Sequence, residues 1–407
     1  MAVQHAIQVD LVSAAQATLG TVVAPGAAGA KRLRKVSSSL TLTKDSFSSN
    51  EVRADQQISD MRHGMERGAG SIEGELSNST YDQYIEALMR GTWTDGVTAA
   101  ASDFTQLAAA RVDARSGTFT WTAGDPIAKG FRIGDIIGTT GSTGNDAGQF
   151  RITGFSGASN RVIAVTPGPA AHAALAATAF VVIGDKVLNG IQKKLFTIEQ
   201  PLVDAGHTEL YIDSRINTGQ FRIPPNGMAT ASFDVMSRGF DLKVLADGDT
   251  VPYFTNPTPA GTDDILAGPG GSLRLAGIER GTVTGFDLSI ALGMSSDPVV
   301  GSKQGVDIFY GPTVITGNVS YYVEDAALLK AFRNETIVDI VAVATAAGVG
   351  RPAFLSFNMQ RVKLSGYSKT VAAQGGVIAT SAFQALLGAG GAGTDATTMT
   401  VQRSNPT

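Results

Sequence analysis

Four histidines, His5, His63, His172 and His207, are the first candidates for acid–base or metal chemistry in this chain. They are scattered, and none has a second histidine at ligand spacing, so each reads as a surface or polar-core residue. The chain has no cysteine, which removes disulfides, thiolate metal sites and cysteine nucleophiles together. "VGSKQG" contains Gly-Ser-Lys without the glycine spacing that builds a phosphate cradle. "GAGGAG" (388–393) satisfies G-x-G-x-x-G, but it follows the helix-like "SAFQALL" where a dinucleotide turn needs a strand. "DGDT" (247–250) lacks the further oxygen ligands of a calcium loop and reads as a turn. There is no G-x-S-x-G elbow, and carboxylate pairs are too common to nominate without a fold. No catalytic residue, metal ligand or cofactor site is assigned, and the chain does not read as an enzyme.

What remains is the chemistry of charge. Only 17% of residues are charged, yet "EVRADQQISDMRHGMERGAGSIEGEL" (51–76) interleaves both signs from Glu51 to Arg67. As a helix, this stretch would place Ile58, Met61 and Met65 on an apolar stripe. As a catalytic cluster, it lacks a nucleophile or a poised histidine pair. As a contact surface between copies, alternating signs make physical sense, because a wrong register brings like charges together. Each exposed pair contributes little energy, but it can still select one register. A second cluster, Lys31, Arg32, Arg34 and Lys35, reads as solvated or paired with acids rather than as a phosphate site.

The elements that must position these charges are mostly strands. Gly 48 and aromatics at only 7% indicate turn-rich β structure, lean for a sugar-binding protein. "SSSLTLT" (37–43), "KLFTIEQ" (194–200), "TELYID" (208–213), "TASFDVM" (230–236), "TVTGFDLSI" (282–290), "TIVDIVAV" (336–343) and "AFLSFNMQRVKL" (353–364) alternate near period two. Two helices are expected. One runs from about Tyr81 to Arg90, with Ile85, Leu88 and Met89 inward, Thr80 and Gln83 as a capping box and Gly91 as the left-handed stop. The other runs from about Asp325 to Arg333, with Leu328, Leu329 and Phe332 inward.

The two helices belong to a longer match. Without a gap, "SIEGELS" (71–77) falls on "VITGNVS" (314–320), placing Ile72 on Ile315 and Gly74 on Gly317, and Ile85 then lands on Leu328. A strand rich in Leu or Ile precedes each copy, and downstream "SFDVM" (232–236) parallels "SFNMQ" (356–360). "KLFTIEQ" is the counterpart of "TIVDIVAV", but it lies far beyond its helix, so a module is inserted between them. The expected organisation is mainly β, with two tandem domains and an inserted small β-barrel-like domain. Residues 1–94 and 191–245 form the first domain, 95–190 the inserted module, 246–387 the second domain and 388–407 a flexible arm, too poor in large apolar groups to order alone.

Net charge is -4 and no long basic run occurs, which argues against a protein that grips nucleic acid through its phosphates. "MAVQHAIQVDLVSAAQ" lacks a basic segment followed by an apolar one, so synthesis in a cytoplasm without export is expected. No apolar run approaches the roughly 20 residues of a membrane span.

The stretch "NEVRADQQISDMRHGMERGAGSIEGELSNSTYDQYIEALMRGTW" (50–93) resembles the major tail tube proteins of bacteriophages with long, non-contractile tails. It has an Arg-x-Asp leading into Asp-x-Arg, then Gly-Ser-Ile-x-x-Glu-Leu, then Tyr-Asp and a short helix ending before Trp. "GDIIGTTGSTGNDAGQFRITGFS" is similar to the small β module of that family. The resemblance implies a β-sandwich with a flanking helix in each repeat, one sheet of each domain lining a tube, and a long loop at residues 44–68 that reaches the adjacent ring. Glu51, Arg53, Asp55, Asp60, Arg62, Glu66 and Arg67 would then be contacts between rings or subunits. The second copy has the shorter, nearly neutral "MSSDPVVGSKQGVDIFYG" (294–311) in that place.

Three copies of a duplicated subunit would fill a pseudo-hexameric ring, a trimer being favoured over a hexamer. Stacked rings would form the conduit for DNA, with a neutral or acidic lumen and the Lys31–Lys35 cluster turned away from it. Implied partners are copies of the chain itself, tape-measure, tail-terminator and tail-tip proteins, and DNA in transit without specific binding, with no membrane insertion. The location is the virion tail after assembly in the host cytoplasm. The competing reading is an adhesin or tail-tip protein that binds the host surface through the inserted module. A β-rich enzyme would need a cleft with convergent acid and base, which the sequence does not display.

Overall fold

The computed structural model describes residues 3–404 except 142–143, 176–177, 280–281, 349 and 372–374. The chain is mainly β, with antiparallel ladders and a few short helices. In the first half, β1 (Val12–Gln16), β2 (Thr41–Ser48) and β3 (Met61–Glu75) precede α1 (Asp82–Met89). After the inserted module come β4 (Leu195–Leu202), β5 (His207–Ile223) and β6 (Thr230–Val244). The second half runs β7 (Ala267–Leu275), β8 (Val283–Ala291), β9 (Val314–Tyr322), α2 (Ala327–Arg333), β10 (Val338–Thr345), β11 (Phe354–Thr370) and β12 (Ile378–Ala385).

The pairings of the two halves follow one scheme. In the first, β2 pairs with β3, β3 with β6, β6 with β5, β5 with β4 and β4 with β1. In the second, β8 pairs with β9, β9 with β12, β12 with β11, β11 with β10 and β10 with β7. Even the irregularities recur. β5 bulges between Tyr211 and Ser214 against β4, and between Ile216 and Thr218 against β6. β11 bulges between Met359 and Val362 against β10, and between Leu364 and Gly366 against β12.

Aligned on those bulges, the two sets of strands match residue by residue, in a register that differs from the sequence match. Beyond the second bulge of each half, Asp234 faces Ser71 and Ala382 faces Asn318. Ser71 therefore corresponds to Asn318, and Ile72 to Val319 rather than Ile315. The cause is the period of two: an even slip keeps every side chain on its face, so the apolar pattern cannot detect it. Likewise "SFDVM" lies on β6 and "SFNMQ" on β11, which hold different places in the scheme. The counterpart of β6 is β12.

α1 buries Ile85, Leu88 and Met89 as the periodicity predicts. Its ends differ from expectation: Thr80 bonds Ser77 instead of capping, and the left-handed residue is Arg90 (φ 51) rather than Gly91. In α2 the inward pair is Leu328 and Ala331; Phe332 is half-buried, and Leu329, expected inside, is 44% exposed. The helix begins later than expected and is short, so only an i, i+3 pair reaches the sheet.

The inserted module is an eight-stranded antiparallel sheet between Thr98 and Val182, packed around Phe104, Phe119, Trp121, Phe131, Phe150 and Phe180. The chain rejoins the main body by Asp185–Leu188. The segment 388–407, expected as a flexible arm, supplies β13 (Thr400–Arg403), held between Asp185–Leu188 and β11 with Met399 and Val401 fully buried. One short strand gains its burial from two distant neighbours, which composition alone does not reveal.

Candidate assembly surfaces

Two halves become one sheet because β5 changes partner along one edge. Its first part pairs with β4; its last part, from Thr218 opposite Ala291 to Ile223 opposite Phe286, pairs with β8. A ladder therefore runs β2-β3-β6-β5-β8-β9-β12-β11, eight strands in order. One face packs inward, where Phe286, Leu288 and Ile290 on β8 and Phe221 on β5 are buried. Gly219 lacks a side chain because Leu88 of α1 occupies the position its Cβ would take. The opposite face curls around a hollow of about 720 Å³ lined by strands from both halves. Glu73, Arg222 and Asp287 line it, and Arg222 pairs with Asp287 at 3.5 Å. Asp234 extends from the same side of β6, and burial raises its carboxyl pKa above the usual range. The face is polar and mildly acidic.

The charged stretch forms neither a helix nor a catalytic cluster. It is the end of the β2–β3 hairpin, and residues 51–63 are all exposed. Arg53 pairs with Asp55 at 2.9 Å, Arg62 with Asp60 at 3.2 Å, and Ser59 donates to Glu51 at 3.0 Å. At the hairpin base Glu66 pairs with Lys44 at 3.2 Å and Arg67 with Asp45 at 3.4 Å. The Arg53 guanidinium holds the Asp55 carboxyl below its ordinary range. Each contact is between near neighbours and open to water, where such pairs add little stability. Phe47, Val52, Ile58 and Met61 stand exposed beside them.

The second-half counterpart, residues 294–311, behaves differently. Ser295 and Phe309 bridge where Phe47 and Arg62 do, so this hairpin is nearly as long as the first, contrary to the sequence comparison. It folds back onto β5 and β6. Arg215, almost wholly buried, pairs with Asp307 at 2.6 Å and also donates to the Ile308 carbonyl. Arg90 and Arg215 flank the Tyr310 ring at 4.3 and 5.0 Å. Arg238 pairs with Asp213 at 2.7 Å and donates to the Gly305 carbonyl. Sequence reading missed Arg215, Asp307, Asp213 and Arg238, since nothing local links residues so far apart.

The basic cluster is largely partnered. Lys31 donates to the Ser79 carbonyl at 2.7 Å, Arg32 pairs with Asp10 at 3.4 Å, and Arg34 donates to the Asp263 carbonyl at 2.6 Å. Tyr81, whose hydroxyl burial pushes up to about 12, donates to the Arg34 carbonyl. None of the four basic residues lines the hollow.

The module docks through polar contacts on β11, β13 and their neighbours. Gln402 both donates to the Ile136 carbonyl and accepts from its amide, Asn358 donates to the Ile133 carbonyl, and Lys186 meets buried Asp135 at 2.9 Å. Among the described residues, none from the module lines the hollow.

The body is mainly β, with a long ladder, a polar face around the hollow and exposed hairpin charges. The family model described as "Phage tail tube protein" matches residues 7–385, and the chain belongs to that family. A comparison with curated proteins gave no match. The chain is thus a phage tail tube structural protein, a component of the virion tail.

Proposed function

We propose that the chain assembles with itself into rings, that the rings stack into the tail tube, and that the hollow face of the eight-stranded ladder lines the conduit for DNA on its way from capsid to host. The observation that carries this reading is that ladder, in which β2 and the last residues of β11 each leave an edge without a partner among the described residues. Strand spacing supports a copy number of three. Three copies give 24 strands, a circumference of about 115 Å and, after one side-chain layer on each wall, a bore of roughly 25 Å. Two copies leave about 13 Å, too narrow for a duplex, and six leave about 60 Å, far wider than one needs. A trimer of duplicated subunits, pseudo-hexameric in outline, is therefore favoured; the shared pairing scheme and shared bulges support the duplication.

Glu73, Asp234 and Asp287 against Arg222 give a lining that repels phosphates, so DNA passes without being held. The inserted module, docked away from the hollow, points outward. The hairpin charges Glu51, Arg53, Asp55, Asp60, Arg62, Glu66 and Arg67 make contacts between copies or rings. Tape-measure, terminator and tip proteins are partners at the tube ends, and assembly proceeds in the host cytoplasm. No helix among the described residues is long and apolar enough to cross a membrane.

Electron microscopy of the purified chain at rising concentration tests the reading. Hollow tubes whose end views average to threefold symmetry are the expected result. Compact particles at every concentration, also in the presence of tape-measure and tip proteins, would refute it.

A further inference from the structure

The internal junction is a template for the contact between copies. On β5, one edge pairs first with β4 and then, over its last residues, with β8. On its counterpart β11, the same edge pairs with β10 and then, from Gly366 to Thr370, has no partner among the described residues. β8 is flanked by β5 and β9, whereas its counterpart β2 is flanked by β3 alone among the described residues. The chain thus ends in two open edges that are each half of a junction it already contains. We propose that the open edge of β11 in one copy pairs with the open edge of β2 in the next, in the register set by β5 and β8. The inference rests on the self-assembly proposed above and adds which edges meet, in what register and through which charges.

The register follows from the bulges. Gln220 faces Ser289 in the internal junction. Bulge for bulge, Ser368 holds the place of Gln220, and through the β2–β3 and β8–β9 pairings Thr41 holds the place of Ser289. Ser368 therefore faces Thr41 of the next copy. In the single chain Thr41 and Ser368 are both exposed.

The charges follow as well. Lys363 stands where Arg215 does, one residue past the first bulge. Asp60 stands where Asp307 does, two residues before the one that bridges the hairpin. Across the copy-to-copy contact, Asp60 meets Lys363 as Asp307 meets Arg215. In the single chain Asp60 pairs with Arg62 and Lys363 with Glu335, exposed ion pairs that are readily exchanged. Met61 stands where Ile308 does. Ile308 is buried in the internal junction and Met61 is exposed, as a residue awaiting the same cover would be. Opposite charge and a matching apolar residue make a second copy the occupant of this edge.

Because the chain has no cysteine, introduced thiols are the only ones present. Thr41→Cys with Ser368→Cys in one chain, oxidised under assembly conditions, is expected to give a ladder of covalent multimers ending in a closed ring. Thr41→Cys with Thr370→Cys, slipped by two residues on the same face, is expected to give at least about tenfold less, because its thiols start one residue pair further apart than a disulfide spans. Asp60→Lys and Lys363→Asp are each expected to raise the concentration needed for assembly about tenfold, and together to restore it.

Tubes that form from the Thr41→Cys, Ser368→Cys chain without a cross-link, or a slipped pair that cross-links better, would overturn the pairing and leave self-assembly standing. Covalent multimers without stacked rings would support the pairing and remove the tube. Neither multimers nor assemblies would overturn both. The charge variants keep the pairing testable should the thiol variants misfold, since both side chains are open to water in the folded chain: unchanged assembly in both single variants would count against it.

Discussion

The internal junction makes an unequal prediction for its two charged partners. Arg215 is about 2% exposed, whereas Asp307 is 19% exposed and has Lys193 as a second cation at 3.9 Å. Removing one partner of a buried ion pair costs about 3–5 kcal/mol, chiefly because the other charge is left buried and uncompensated. Asp307→Asn leaves the guanidinium enclosed, with the Ile308 carbonyl and the Tyr310 ring as its remaining partners, so its cost falls near about 4 kcal/mol. Arg215→Met fills the same space with apolar atoms and leaves a carboxylate that reaches water, so about 1–2 kcal/mol is expected. The assay is native-state hydrogen exchange at the amides of residues 218–223, the strand shared with β8. In the fast-reclosing limit, protection falls tenfold for about every 1.4 kcal/mol lost. Protection should therefore drop about a thousandfold in Asp307→Asn and about tenfold in Arg215→Met, while amides of the inserted module are unchanged. Equal losses in the two variants, or a larger loss in Arg215→Met, would refute the argument that burial asymmetry sets the cost.

Core and surface positions on the two helices should separate cleanly in thermal or urea unfolding. Leu88→Ala, at a fully buried site against Gly219, is expected to cost about 3–4 kcal/mol. Leu329→Ala, at an exposed one, is expected to cost under about 1 kcal/mol. Val401→Asp buries an unpaired carboxylate between two strands, so limited proteolysis should release the C-terminal segment that the wild-type chain retains. Reversing the sign of the hollow face, with Glu73→Lys and Asp287→Lys together, should make assembled protein retain duplex DNA at low salt and release it as salt rises, measured by filter binding.

Much of this architecture was legible because period-two alternation and turn residues mark strands directly. The seven segments read as strands all contribute to ladders, and Ile85, Leu88 and Met89 sit where their spacing put them. Three kinds of feature stayed hidden. A register slip of four residues between Ile72 and Ile315 is invisible to alternation. The ordering of 400–403 depends on neighbours from distant parts of the chain. The Arg215–Asp307 pair depends on a hairpin folding back across the sheet, and no local pattern encodes that. The charged stretch was legible as a surface, but its secondary structure was not, since Ile58, Met61 and Met65 fit a helical stripe as readily as a hairpin end.

On the proposed assembly, the two halves need not contribute equally. The internal junction forms within one chain, so it incurs no loss of translational freedom, which costs separate molecules an estimated 4–15 kcal/mol. It nevertheless carries the stronger pair, Arg215 and Asp307, with the better-buried cation. The copy-to-copy junction must meet the entropic cost with a lysine in place of the arginine and an exposed hairpin in place of a docked one. Lysine lacks the planar fork that holds two acceptors at once, as Arg215 holds Asp307 and the Ile308 carbonyl. A weaker contact between copies is what orderly growth requires, because a subunit joined at one edge can still leave, whereas one joined at both edges of a closed ring has to break two ladders together. The difference between Arg215 and Lys363 thus bears on assembly order: Lys363→Arg, offered Asp60 of the next copy, should raise the yield of open, misclosed arcs relative to complete rings in negatively stained fields. An unchanged ratio of arcs to rings would show that the strength of this contact does not set the order of growth.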